Sequence, residues 1–163
     1  MIPIRVAAIP TGLAEKVRET MQDPHYGFPA YRGKASGDAP CRHCLCMIAA
    51  GEEQILFTHD AFEGVETLPL PGPVYVHAKD CERYPEDGGF PAMLRESPRT
   101  LNAYARGRKL VAQEYAQGEE IERAIARLFA RTDVDYIHVR STTAGCYTFR
   151  IERAVAPARE ARA

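Results

Sequence analysis

The sequence predicts an α+β domain, with a mostly antiparallel sheet built from hairpins and two main helices. Two observations carry this. Short alternating segments follow one another with turns rather than helices between them, and only two stretches space their apolar residues as helices do. A chain of 163 residues suits one compact core. The expected domain runs over residues 1–153, and the tail 154–163, with little to bury, is expected to fray.

Ile2, Ile4, Val6 and Ala8 alternate as an opening strand. Leu13, Ala14, Val17 and Met21 then recur at helical spacing, with Thr11 as the expected N-cap. Asp23-Pro24 ends that helix, and the Gly- and Pro-rich segment 23–40 reads as a long loop. Cys41 to Met47 and Gln54 to His59 read as two strands joined through "AAGEE". Val74 to His77 is a further strand, and Ala92 to Arg95 one helical turn. "TLNAYA-RGRK-LVAQEY" is a hairpin turning at Arg106 to Lys109. In "GEEIERAIARLFAR", Ile121, Ala124, Ile125, Leu128 and Phe129 form one apolar stripe. Its acidic start and basic end complement the helix dipole. "VDYIHVRSTTAGCYTFRIER" closes the fold as a hairpin.

Composition excludes some functions. A formal net charge of −1 lacks the basic excess of a protein that grips nucleic-acid backbone generically. No apolar run approaches bilayer length, and "MIPIRVAAIPTG" lacks the pattern of a signal peptide. The expectation is a cytoplasmic protein without membrane contact, whose five cysteines stay reduced.

"PCRHCLCMIAAGEEQILFTHD" gathers Cys41, Cys44 and Cys46 around His43. As a zinc site, Cys41-x-x-Cys44 supplies one ligand pair and His77-x-x-x-Cys81 the other. Two features oppose it. Leu45 stands where a sharp turn favours glycine, and a regular strand over 41–47 points Cys41 and Cys44 to opposite faces. Cys44 and Cys46 then share a face, but about 6.8 Å apart along the backbone. The plain alternative is packing, since free cysteine behaves as a small buried hydrophobe.

The closing hairpin offers a second constellation. With a loop at Ser141 to Gly145, Arg140 faces Cys146 and His138 faces Thr148. A thiol beside a guanidinium favours thiolate. In the functional reading Cys146 is the nucleophile, His138 transfers protons, and Arg140, Arg150 and Ser141 hold a small anionic ligand. The opposing reading is that a half-exposed sheet face carries polar residues because it meets water.

"FPAYRGKASGDAPCRHCL", "GEEQILFTHDAF", "PLPGPVYVHAKDCERY", "FPAMLRESPRTLNAYARG" and "DVDYIHVRSTTAGCYTFRIER" occur in that order. Together they resemble the uncharacterised bacterial family known as domain of unknown function 1203. The resemblance implies a small cytoplasmic bacterial protein and supplies no catalytic residue. Where the family looks like His-Val-Arg-Asn, Arg140 is here followed by Ser141. Three function classes are therefore in play: a small-ligand binder or minor enzyme at the last hairpin, a structural zinc protein, and a scaffold without chemistry.

Overall fold

A computed structural model describes residues 3–154. The expected frayed tail lies, after Ala154, outside the described residues. Eight strands form two sheets, and every strand pair is antiparallel. The larger sheet runs β1 (Ile4–Ala7), β8 (Tyr147–Arg153), β7 (Tyr136–Ser141), β5 (Arg99–Tyr104), β6 (Leu110–Ala116). The smaller runs β2 (Tyr31–Lys34), β3 (Glu53–Asp60), β4 (Pro71–His77). The α+β class is as expected, but the division into two sheets is not in the sequence reading.

Each sheet has its own helix. In α2 (Glu120–Ala130) the predicted stripe from Ile121 to Phe129 is buried to the last residue. It packs on one face of the larger sheet, against Leu101, Ile137, Val139, Phe149 and Ile151. Each such side chain contributes about 1.5–3 kcal/mol on leaving water. The helix α1 (Thr11–Thr20) sets Leu13, Ala14 and Val17 against Ile55, Phe57, Val74 and Val76 of the smaller sheet. Pro10 opens α1 without a side-chain cap, and the Thr11 hydroxyl instead meets His43 Nε2 at 3.0 Å.

Two strand expectations fail, for identifiable reasons. Cys41–Met47 is a turn, so the partner of β3 is β2, inside the segment expected to be a loop. All four residues of β2 are exposed, so no hydrophobic period marks it. In the last hairpin a bulge between Val139 and Arg140 shifts the register. His138 pairs with Arg150, and Arg140 with Tyr147, rather than with Thr148 and Cys146. A bulge sets two residues against one, and it turns Tyr147 onto the His138 side, where the two rings lie 5.0 Å apart.

That side is the larger sheet's second face. Phe62, from the segment after β3, covers its centre, and Phe62, Tyr104, Tyr136 and Tyr147 surround His138 with ring centroids 4.8–5.1 Å away. His138 is fully buried, and neither of its ring nitrogens has a hydrogen-bond partner. Burial first, then the Arg140 and Arg150 charges, push its pKa down to about 2. His59 is also buried, and its pKa falls to about 4 for the same leading reason. Among the described residues no helix is long and apolar enough to cross a membrane.

These neutral imidazoles make stability depend on pH. A folded pKa below the unfolded one gives stability that is complete above about pH 6.5 and is lost as pH falls towards the folded value. At about pH 5 each histidine removes about 2 kcal/mol. Urea unfolding at pH 7 and pH 5 should therefore show His138→Gln losing about that much less on acidification than the unmodified protein. Equal losses would refute a buried neutral His138.

Candidate metal centre

The 41–47 turn is closed by its own backbone. Pro40 and Met47 form an isolated antiparallel bridge, the Cys41 amide donates to the Cys46 carbonyl, and the Leu45 amide donates to the Cys41 carbonyl. Leu45 takes the left-handed conformation expected of a glycine, with φ 56°. That strain, on the order of 1–2 kcal/mol, is offset by burying the leucine side chain in the core of the larger sheet. Both objections from sequence are thereby removed. The turn is sharp without glycine, and because it is not a strand, Cys41 and Cys44 reach the same side.

The second pair arrives from β4. His77 is its last residue, and the bend at Ala78–Asp80 brings Cys81 back beside it. The four ligand atoms of Cys41, Cys44, His77 and Cys81 all lie within 4.8 Å of one another. Cys41 Sγ is 3.9 Å from Cys81 Sγ, and Cys44 Sγ is 3.5 Å from His77 Nδ1. A tetrahedral zinc ion with thiolate bonds of about 2.3 Å has sulfur–sulfur edges of about 3.8 Å. The spacing therefore suits an ion of that size and geometry.

Neighbouring groups orient this set. His77 Nε2 lies 3.6 Å from Glu52 Oε2, so Nδ1 is left for the cluster. The His77 amide donates to Cys41 Sγ at 3.4 Å. Arg18, in the last turn of α1, donates Nε to the His77 carbonyl and Nη2 to Cys81 Sγ, at 3.0 and 3.3 Å. His43 Nδ1 lies 3.2 Å from the same sulfur, while Cys46 is exposed and stands apart. The hydrogen bond with Cys44, opposed by burial, lowers the Cys41 pKa. The same bond raises that of Cys44, and burial raises that of Cys81. Clustered sulfurs of this kind favour one thiolate until a cation allows more.

The hairpin residues are not assembled as expected. Cys146 and Arg140 line one hollow, with Cys146 half-buried. His138 is sealed in its aromatic surround and cannot exchange protons with that hollow. Arg150 turns towards Glu152, 2.8 Å away, and over the Tyr136 ring. The Ser141 hydroxyl accepts the Ala144 amide and so serves the turn. Sequence reasoning missed Arg18, Glu52, His59 and Tyr147. Nothing in the local pattern marks them, because only the packing of α1, the β2–β3 turn and the bulge brings them to these places.

No curated protein and no solved structure matches the chain. A family model does match, over residues 38–153, which takes in both ligand pairs and the closing hairpin. The chain belongs to the family described as "Protein of unknown function (DUF1203)".

Proposed function

We propose that the protein holds a structural zinc ion through Cys41, Cys44, His77 and Cys81. The observation that carries this reading is the convergence of four ligand atoms, from two segments far apart in sequence, within 4.8 Å. Three sulfurs and an imidazole are a closed zinc set, leaving no position for water or substrate, so the role is to hold the fold. Three thiolates and a divalent ion sum to one negative charge, and the Arg18 guanidinium at Cys81 balances it. Glu52 beside His77 supplies the carboxylate that zinc-bound imidazoles usually have behind them. Such a site needs reduced thiols, in keeping with the cytoplasmic expectation.

Elemental analysis of untagged protein should find about one zinc per chain. Stripping it with a strong chelator should lower the melting temperature, and re-adding zinc should restore it. Metal-free protein whose melt a chelator leaves unchanged would end the proposal. Competition with a chromogenic chelator should show Glu52→Gln weakening zinc about 10–100-fold, the usual effect of losing such a partner. Unchanged affinity would remove Glu52 from the centre.

A further inference from the structure

Three hollows open around the second face of the larger sheet, and their charges separate them. The largest, about 720 Å³, sets Arg106, Arg150 and Arg153 against Glu66, Asp135 and Glu152. In the next, about 300 Å³, Arg5 and Arg83 pair with Glu86, and Asp60 and Glu63 line it as well. The third, about 280 Å³, lies between the last turn and the β3 and β4 ends, and no carboxylate lines it. Its walls are Arg140, Cys146 and Tyr147 on one side, with His59, Leu70 and Pro71 on the other.

Its polar groups lack partners. Among the described residues Arg140 makes no ion pair. Its one hydrogen bond runs from Nη1 to the Gly145 carbonyl at 3.1 Å, and its Nε is buried and unpartnered. His59 is 5% exposed, and its Nδ1 has no hydrogen bond. Glu63 Oε2 is 3.8 Å from that nitrogen, beyond bonding distance. Burial keeps His59 uncharged near neutral pH and raises the Tyr147 pKa, so its hydroxyl stays a donor. Buried polar atoms without partners are costly, and here they lie at the wall of a concave site.

We propose that this hollow binds a small monocarboxylate with a short apolar body. The carboxylate sits on the Arg140 guanidinium and the Tyr147 hydroxyl, beside His59, and the body lies against Leu70 and Pro71. One unpaired guanidinium matches one negative charge. A phosphate would need further donors, and three amides of the turn are already engaged. The Gly145 amide donates to the Ser141 carbonyl, the Ala144 amide to the Ser141 hydroxyl and the Ser141 amide to the Cys146 carbonyl. The volume is at the small end for ligand sites, which limits the body to a few carbons. The site is independent of the zinc reading, sharing no ligand with it.

Cys146 gives the hollow its own reporter. Iodoacetate is itself a small carboxylate, and iodoacetamide is its neutral twin. Peptide mass spectrometry should follow both reagents at Cys146, with the exposed Cys46 as internal reference. The iodoacetate-to-iodoacetamide rate ratio should be roughly tenfold higher at Cys146 than at Cys46, the worth of one charge-assisted hydrogen bond. Arg140→Gln should abolish that preference and Arg140→Lys restore part of it. Butyrate should slow iodoacetamide at Cys146, less so in Tyr147→Phe, which keeps the ring and loses only the hydroxyl. Equal ratios at the two cysteines, or a preference that survives Arg140→Gln, would overturn the site. So would a Cys146 that neither reagent reaches, since both are smaller than butyrate. Protection by inorganic phosphate and not by butyrate would overturn the carboxylate assignment.

Discussion

Both sheets depend on the turn at 41–47. Its side chains go in opposite directions: Cys41 into the core under the smaller sheet, and Leu45 into the core under the larger. Its backbone is bonded to elements on all sides. The Arg42 amide donates to the Tyr75 carbonyl of β4, and the Arg42 and His43 carbonyls accept from Ile9 and Tyr84. Arg42 Nε reaches the Tyr147 carbonyl of β8. The smaller sheet, with three strands and one short helix, has only a small core of its own, so its ties to the larger half matter. Fixing this turn is therefore what joins the smaller half to the larger, and a metal ion between Cys41, Cys44 and the end of β4 would fix it at the open end.

The same constraint explains what the sequence discloses and what it hides. The α2 stripe, the β5–β6 hairpin, the single helical turn at Ala92–Arg95 and the pairing of the last two strands are all legible. Each is local, and its residue types mark it: a 3.6-residue apolar stripe in α2, and β-branched and aromatic runs bounded by turn residues in the hairpins. The ligand spacing Cys-x-x-Cys and His-x-x-x-Cys is legible too, because it depends on residue type and not on period. The turn is not. Its run Leu45, Cys46, Met47, Ile48 reads as a strand, since an apolar run records burial without recording which core does the burying. Leu45 and Ile48 prove to be buried in different cores. Strand β2 fails in the opposite way, held by pairing to β3 with nothing buried to announce it.

The hairpin shows how small a structural change reassigns a site. One bulge, invisible in the sequence, moves Tyr147 to the face of His138 and takes Thr148 into the interior. Without it, the alternation would place a histidine and a cysteine together as a plausible catalytic pair. With it, the histidine is enclosed by four aromatic rings, and the cysteine lines a hollow shared with His59 of the other sheet. A functional reading of a β-hairpin from sequence therefore stands or falls on register, which a two-residue period cannot fix once a bulge is present.

Arginine usage separates the structural part of this molecule from the part left over. Arg42 is 3% exposed, and its hydrogen bonds go only to the carbonyls of Pro40 and Tyr147. Burial pushes its pKa down to about 10, which still leaves it charged at neutral pH. Arg99, 5% exposed, gives its Nε to the Leu94 carbonyl, Arg153 gives its donors to three carbonyls, and Arg5, Arg83 and Arg127 pair with carboxylates. A guanidinium buried on main-chain carbonyls or paired with carboxylates is a strut, because a ligand would have to compete with those bonds. Arg140 has one carbonyl and no carboxylate, and it borders a hollow that carries no negative charge. Its distinction is therefore energetic, since an anion arriving there has no carboxylate to displace.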